Sequence, residues 1–270
     1  DESLIDYDVS SYYPNTVLSE RIAPEGIEQA FLSVYSGILE SRLKAKKEGD
    51  KARANCEKII LNATYGKFGD KNSVFYNPKN MLKVTLNCQF RLLQLIERIS
   101  IAGIEILQAN TDGVLSYCKN KGEETKLKEI VDAWQALAKF EMEETRYARL
   151  VMKDSNNYLA VREGGHVKEK GIFQSERSLF GGDTHCLLSS KAANSFFLEG
   201  IEPEITVRAC KDLLDFCIFA KRDSWEKPGI PGLQDHVNRW IWAKGVGNTL
   251  KSGTEKKTKT SFSVSLCLCG

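Results

Sequence analysis

Apolar and polar residues alternate near the start of the chain. In the segment Leu4–Val9 the odd positions are apolar or aromatic, and the even positions include both aspartates. This period of two predicts a strand with one partly open face. We therefore expect the carboxylate of Asp8 to project from a sheet.

Helical spacing follows the first strand. A helix is predicted from Pro24, which suits the first helical position, to the basic run Arg42–Lys47. Its apolar positions recur every three or four residues, at Ile27, Phe31, Val34 and Ile38. Gly49 suits a C-terminal cap and Asp50 an N-terminal cap, which predicts a second, antiparallel helix over 51–67. The two helices form a predicted helical hairpin.

The rest of the pattern mixes helices and strands. Between the hairpin and residue 175 we predict a helix over 82–101, strands over 104–109 and 114–117 joined by a turn at 110–113, a helix over 127–137, and strands over 147–153, 158–161 and 166–173. Beyond residue 175 we predict helices over 189–198 and 203–216, a Pro/Gly-rich connection at 228–232, a strand over 239–244 and a mobile basic tail over 251–260. This order predicts an α+β fold, in which two helices back an antiparallel sheet and the helical hairpin projects from one end.

Composition limits the class of protein. The chain has 270 residues, 42% of them apolar, enough for a sizeable core. It contains no run that could span a bilayer and no signal peptide, so we expect an intracellular, cytoplasmic protein. The first residue is Asp1 rather than Met, which favours a piece of a longer protein. Eight scattered cysteines and three histidines argue against a zinc site or a disulfide framework.

Two acidic segments far apart in the sequence are the first candidate chemistry. Asp8 and Asp112 would each supply a hard oxygen ligand, and such carboxylates on adjacent strands suit Mg²⁺. Each also has a structural explanation. A lone strand-end aspartate needs no ligand, and Asp112-Gly113 is a favoured two-residue hairpin turn.

Basic residues form the second candidate. Lys58, Asn62 and Tyr65 share one stripe of the second hairpin helix, and Arg42 and Lys46 form a stripe on the first. The cations have no acidic partner at these spacings, so we expect them to bind an anion, and a triphosphate fits. The net charge of +2 is too small to indicate nucleic-acid binding by itself. A solvated amphipathic face is the structural alternative.

At these positions the chain resembles family B DNA polymerases. The segment Asp8–Pro14 is similar to the first palm motif of that family, an Asp followed by Ser-Leu-Tyr-Pro. Lys58–Gly66 is similar to the fingers motif Lys-x-x-x-Asn-Ser-x-Tyr-Gly, with Ala63 in place of Ser. Asn110–Gly113 is similar to the Asp-Thr-Asp-Ser motif, with Asn110 and Gly113 as the departures.

The resemblance implies a role for each matching residue. Two Mg²⁺ ions would be bound by Asp8, Asp112 and the carbonyl of Val9, and the two aspartates would be catalytic. The residues implied to hold the triphosphate are Ser11, Tyr12, Arg42, Lys46, Lys58 and Asn62. Tyr13 would stack under the sugar and exclude a 2'-hydroxyl, and its position in the motif favours it over Tyr12 for this role.

DNA contacts are implied as well. Tyr65 and Gly66 would lie beside the nascent base pair. The basic segments that resemble the primer-template contacts of the family contain Lys153, Tyr158, Lys168 and Lys170, where ordinary surface lysines are the alternative. The segment 239–251 is similar to a thumb strand of phage-type members, and a compact viral or phage enzyme is expected.

The resemblance also implies a domain layout and a function. The layout is palm over 1–24 and 71–175, fingers over 25–70, and a partial, mainly helical thumb-like region over 176–270, with the exonuclease domain absent. The expected function is template-directed DNA synthesis in replication, from primer-template DNA and deoxynucleoside triphosphates. The alternative is a catalytically silent remnant that binds primer-template DNA. A two-metal nuclease would need the carboxylates but not the cations of the hairpin.

Overall fold

The computed structural model divides the chain into two compact units, Asp1–Arg149 and Leu150–Gly270. It describes residues 2–176, 186–216, 218–221, 237–243 and 246–250. No helix within these ranges is both long enough and apolar enough to cross a membrane.

The first unit is built around an antiparallel sheet. Its elements are β1 (Ser3–Val9), α1 (Tyr12–Ser19), α2 (Glu28–Glu48), α3 (Lys51–Lys67), α4 (Pro78–Ile101), β2 (Glu105–Ala109), β3 (Gly113–Cys118), α5 (Lys121–Ala138) and the first part of β4 (Met142–Asp154). The strands lie in the order β2-β3-β1-β4, so β1 is central and pairs antiparallel with β3 and β4. The prediction of an α+β fold with an antiparallel sheet is confirmed.

The helical hairpin of α2 and α3 follows from the two residues that join its helices. Gly49 ends α2 with φ 78°, a left-handed conformation that favours glycine. Asp50 caps α3, and its side chain accepts a hydrogen bond of 3.0 Å from the backbone N–H of Arg53. The predicted range of α3 is confirmed.

The predicted start of α2 is wrong, and its predicted buried face is confirmed only at Phe31 and Ile38. The helix begins at Glu28 rather than Pro24, because Gly26 turns the chain with φ 84° immediately before it. Val34 is 64% exposed, whereas Tyr35 is buried and its hydroxyl donates a hydrogen bond of 3.1 Å to the carbonyl of Leu61 in α3. The buried face of α2 therefore includes Phe31 and Tyr35 but not Val34.

Helix α1 was not predicted from the sequence. It begins directly after Ser11, whose left-handed backbone (φ 49°, ψ 46°) turns the chain from β1 into the helix. Thr16 and Val17 are fully buried, and the hydroxyl of Thr16 lies 3.2 Å from the Cys88 thiol of α4. This contact attaches the short helix to the core.

Two long helices complete the core of the first unit, and both begin earlier than predicted. Asn77 caps α4 and Asn120 caps α5, each through its side-chain oxygen. The buried Trp134 of α5 donates its indole N–H to the carbonyl of Arg91 in α4, at 2.9 Å. The two helices are thereby joined by a polar contact within an apolar interface.

The second unit contains short elements. They are the end of β4, β5 (Asn157–Arg162), β6 (Val167–Lys170), a 3₁₀ turn (Gly171–Phe173), α6 (Leu187–Glu199), α7 (Pro203–Ala209), a second 3₁₀ turn (Leu213–Phe216), β7 (Ile218–Lys221), β8 (Val237–Ala243) and β9 (Val246–Leu250). Strands β5 and β6 pair antiparallel, and β7-β8-β9 form a three-stranded antiparallel sheet.

Some sequence predictions for the second unit need correction. The helix predicted over 203–216 ends at Ala209, since Cys210 is extended with ψ 126°. The strand predicted over 166–173 ends at Lys170, where the 3₁₀ turn begins. The predicted strand over 239–244 corresponds to β8. The Pro/Gly-rich connection at 228–232 and the basic tail at 251–260 lie outside the described residues.

Candidate active site

Asp8 and Asp112, which are far apart in the sequence, are neighbours in the first unit. Asp8 lies near the end of β1, directly opposite Gly113 of β3. One residue further on, the backbone N–H of Val9 donates a hydrogen bond of 2.7 Å to the carbonyl of Asp112. The sheet register therefore brings the two aspartates together.

The loop that carries Asp112 is closed by an asparagine. The side-chain oxygen of Asn110 accepts hydrogen bonds from the backbone N–H groups of Asp112 at 3.0 Å and Gly113 at 2.6 Å. The N–H of Asn110 also donates to the carbonyl of Gly113 at 3.0 Å, so Thr111 and Asp112 are the central residues of the turn. The alternative in which Asp112 and Gly113 form the two-residue turn is therefore wrong.

Gly113 is needed for space rather than for backbone conformation. It is not among the residues with positive φ. A Cβ atom at this position would lie 2.1 Å from Oδ1 of Asp8 and 2.8 Å from the carbonyl oxygen of Tyr7. The Asp8 carboxylate can occupy its position beside residue 113 only because that residue has no side chain.

A third carboxylate, which the sequence analysis missed, lies on the other side of Asp8. Glu143 of β4 is directly opposite Asp8 in the sheet and lines the same cleft. The sequence prediction placed the start of this strand at Tyr147, whereas β4 begins at Met142. Glu143 was therefore not recognised as a residue of the sheet.

The cleft has a volume of about 830 Å³ and combines these carboxylates with basic residues of α2 and α3. The cations that line it are Arg42, Lys46, Lys51 and Lys58. Asn62 lines it as well. The predicted stripes of the hairpin and the two aspartates thus line one cavity.

The basic residues have different partners. Arg42 donates from Nη1 to the hydroxyl of Ser11, while its Nε is buried without a hydrogen-bond partner. Lys58 has no ion pair within the part of the chain that the structure describes. Lys46 contacts Oε1 of Glu143, which corrects the expectation that it has no acidic partner. The contact was missed because Glu143 lies 97 residues further along the chain.

The two adjacent tyrosines of the first motif have different surroundings. Tyr12 is buried, and its hydroxyl donates a hydrogen bond of 2.6 Å to the carbonyl of Cys88. Tyr13 packs edge-on against Tyr65 with ring centroids 4.7 Å apart. Burial, with smaller contributions from Tyr65, Cys88 and Asp112, raises the pKa of Tyr13. Of the two, Tyr13 has the ring that is partly open to the cleft.

The start of α1 supplies backbone donors beside the aspartates. Ser11 and Tyr12 line the cleft at the N-terminus of this helix, and no side chain caps it. The first N–H groups of a helix have no acceptor within the helix and carry a partial positive charge. This end of α1 can therefore receive an anion.

The residues predicted to contact DNA occur in both units. In the first unit Tyr65 lines the cleft, and a Cβ atom at Gly66 would meet nothing within 4 Å. In the second unit the ammonium groups of Lys168 and Lys170 lie 5.4 and 5.5 Å from the ring centroid of Tyr158. Lys153 of β4 is exposed.

The donors present suit a hard cation. Asp8, Asp112 and the carbonyl of Val9 offer oxygen ligands, which Mg²⁺ prefers while it keeps several waters. Among the described residues no group of three or more His, Cys, Asp and Glu residues could hold a metal ion. An ion held by these few oxygen atoms would have to complete its coordination with oxygens from water or substrate.

Comparison with known proteins gives distant matches. No protein-family model matches the chain. DNA polymerase II of Escherichia coli (strain K12) is 24% identical over 166 residues, which cover 50% of this chain and 21% of that protein. DNA polymerase 1 of Sulfurisphaera ohwakuensis is 26% identical over 123 residues, which cover 45% of this chain and 14% of that protein.

The fold is also similar to that of a solved structure. The family B DNA polymerase from the hyperthermophilic archaeon Pyrobaculum calidifontis superposes with a TM-score of 0.55 at 15% identity. The match covers 92% of this chain and 40% of that one. At this identity the match establishes similarity of fold. The chain thus spans less than half the length of each of these relatives.

Proposed function

We propose that this chain, which is family B DNA polymerase-like in sequence and in fold, adds deoxynucleotides to the 3'-hydroxyl of a primer under the direction of a template. One observation carries the proposal. Asp8 and Asp112, which are neighbours in the sheet, line one cleft together with Arg42 and Lys58. Nucleotidyl transfer requires carboxylates that bind metal ions and, near them, basic side chains that bind phosphate groups.

The domain layout is part of the proposal. The palm would comprise residues 1–24 and 71–175, the fingers 25–70 and a thumb-like region 176–270. The hairpin of α2 and α3 falls within the proposed fingers, and the strands that carry the aspartates fall within the proposed palm. The boundary between the two compact units, after Arg149, lies inside the second palm segment.

The carboxylates would hold two Mg²⁺ ions, together with the carbonyl of Val9. When bound, such ions lower the pKa of the primer hydroxyl and offset the charge that develops during in-line attack on the α-phosphate. Gly113 keeps the place beside Asp8 open, and the Val9–Asp112 backbone bond sets the distance between the two strands. The chain would thereby hold the two carboxylates near each other before substrate arrives.

The triphosphate would bind the basic residues that line the same cleft. Arg42, whose Nε has no partner, and Lys58, which has no ion pair among the described residues, offer charge-assisted donors. Lys46 and Asn62 would add further donors, and the amides of Ser11 and Tyr12 would contribute the N-terminus of α1. These groups would hold the α-phosphate near the aspartates.

Aromatic residues would set the choice of sugar and the fit of the base pair. The ring of Tyr13, supported by Tyr65, would lie under the deoxyribose and leave no room for a 2'-hydroxyl. Gly66 would let the nascent base pair approach α3, since nothing occupies the space beside it. In the second unit Lys153, Tyr158, Lys168 and Lys170 would contact the backbone of primer-template DNA.

Magnesium-dependent primer extension tests the proposal. The wild type should incorporate deoxynucleotides, while Asp8→Asn and Asp112→Asn should lose incorporation and still bind primer-template DNA. Normal extension by both variants would exclude the proposed mechanism. If the wild type binds primer-template DNA in a salt-sensitive manner and incorporates nothing with Mg²⁺ or Mn²⁺, the chain is instead a silent binding module.

A further inference from the structure

The contact between Lys46 and Glu143 joins the helical hairpin to the sheet at the proposed nucleotide site. Lys46 lies on α2, Glu143 lies on β4, and both line the cleft. Their side chains remain 50% and 54% exposed, so solvent and small anions can reach the pair. Another anion can therefore replace Glu143 as the partner of Lys46.

Glu143 occupies an electrostatically unfavourable position unless a cation accompanies it. It lies directly opposite Asp8 on the neighbouring strand, and like charges at such positions repel. The hydrogen bond from Lys46 lowers the pKa of Glu143, with smaller contributions from Ser10 and Arg42. Lys46 thus serves as the counter-ion of a carboxylate beside the proposed metal ligands.

We propose that the carboxylate of Glu143 binds Lys46 where a phosphate group of the substrate would otherwise bind it. An incoming triphosphate must then displace this carboxylate from Lys46. The inference rests on the proposed nucleotide site. An ammonium group is a compact charge with three N–H donors, so it can donate a hydrogen bond to a carboxylate oxygen or to a phosphate oxygen. Glu143 is then a positioning residue, which keeps Lys46 directed into the cleft and at the same time competes with substrate for it.

Binding of dATP and of inorganic tripolyphosphate, measured by calorimetry on the full chain without divalent ions, tests this competition. Glu143→Gln should tighten the binding of both probes by about two- to fivefold, the range expected for an exposed ion pair. Unchanged or weaker binding by this variant would overturn the inference.

Glu141 offers a matched control. It is exposed, lies two residues before Glu143, does not line the cleft and has no ion pair among the described residues. Glu141→Gln removes the same charge and should leave the affinity for both probes unchanged. An equal gain in both variants would indicate general charge repulsion and would overturn the inference.

A double-mutant cycle separates competition at Lys46 from other effects of Glu143. In a Lys46→Met background, Glu143→Gln should no longer tighten binding, because the group for which the two anions compete is gone. A full gain in that background would overturn the inference. Thermal unfolding curves of each variant establish that all of them are folded.

The wild type separates this inference from the proposed function. If it binds neither dATP nor tripolyphosphate, the proposed nucleotide site is wrong and the inference falls with it. If it binds both probes and Glu143→Gln binds them equally well, only the role of Glu143 is wrong.

Discussion

Gly113 lies opposite Asp8 on the neighbouring strand, where a Cβ atom would fall 2.1 Å from Oδ1 of the aspartate. The carbonyl oxygen of Tyr7 would be only 2.8 Å from the same atom. A side-chain rotation of Asp8 would relieve the first contact, but the second involves backbone. Any side chain at residue 113 must therefore move both Asp8 and the strand that carries it.

Gly113→Ala should consequently reduce primer extension on the order of 100-fold, as expected for a displacement of about 1 Å at a reacting centre. The overpacking should lower the free energy of unfolding by about 1–3 kcal/mol. Single-turnover extension and denaturant unfolding measure the two effects. Gly164→Ala is the control, since nothing lies within 4 Å of its added Cβ. Wild-type extension by Gly113→Ala would show that the placement of Asp8 does not matter.

Gly66→Ala should separate stability from activity. Gly66 and Gly37 both lie inside helices with open space around an added Cβ, so each alanine variant should gain about 0.5–1 kcal/mol of stability. Only Gly66→Ala should impair primer extension, because only that glycine is proposed to adjoin the base pair. Melting curves and extension rates provide the comparison, and equal extension by both variants would remove Gly66 from the site.

Tyr13→Ala should increase the use of ribonucleotides relative to deoxynucleotides by at least about tenfold, because the proposed steric barrier to the 2'-hydroxyl is removed. Competition between ATP and dATP in primer extension measures this ratio. Tyr12→Phe is the control. It deletes the buried hydrogen bond to Cys88 and should cost about 1 kcal/mol of stability without changing the ratio. An unchanged ratio in Tyr13→Ala would show that the ring of Tyr13 is not the barrier.

Arg42→Lys should raise KM for the nucleotide by at least about tenfold, since hydrogen bonds to charged groups are worth about 1.5–3 kcal/mol and lysine cannot reproduce the planar guanidinium. Arg53→Lys is the matched control on the same hairpin. Arg53 contacts Glu57 and Ser41 and does not line the cleft. Steady-state kinetics with varied dATP gives both values, and equal KM values would exclude Arg42 from triphosphate binding.

Cys88 should resist alkylation in the folded protein. Burial raises the pKa of its thiol to about 11, so at neutral pH the reactive thiolate is scarce as well as inaccessible. Cys56 is exposed and should react with iodoacetamide before Cys88 does. Peptide mass spectrometry before and after addition of denaturant measures the order. Equal labelling of both cysteines in the native state would mean that the contact between α1 and α4 opens readily.

The hairpin could be predicted because its signals are local. A glycine followed by an aspartate both ends one helix and starts the next, and each acts through bonds to its own neighbours. The range of the first strand followed from alternation in the same way. By contrast, the start of α1 depends on a left-handed serine, for which the sequence offers no distinct signal.

The candidate site was only partly predictable for a related reason. Asp8, Asp112 and the stripe of Lys58 could be identified from motifs, each of which is continuous in the sequence. Glu143 could not, because its place beside Asp8 depends on the register of β4. Its pairing with Lys46 joins residues that no local pattern connects.

The closed loop at residues 110–113 bears on the proposed binding of Mg²⁺. The side-chain oxygen of Asn110 accepts the same two backbone hydrogen bonds that an aspartate oxygen could accept. The amide, however, contributes no negative charge. Asparagine in place of aspartate therefore preserves the shape of the turn and would weaken the proposed binding of Mg²⁺. If the site binds Mg²⁺ as proposed, the chain should need more free magnesium than an Asn110→Asp variant, with no difference in how its strands are arranged.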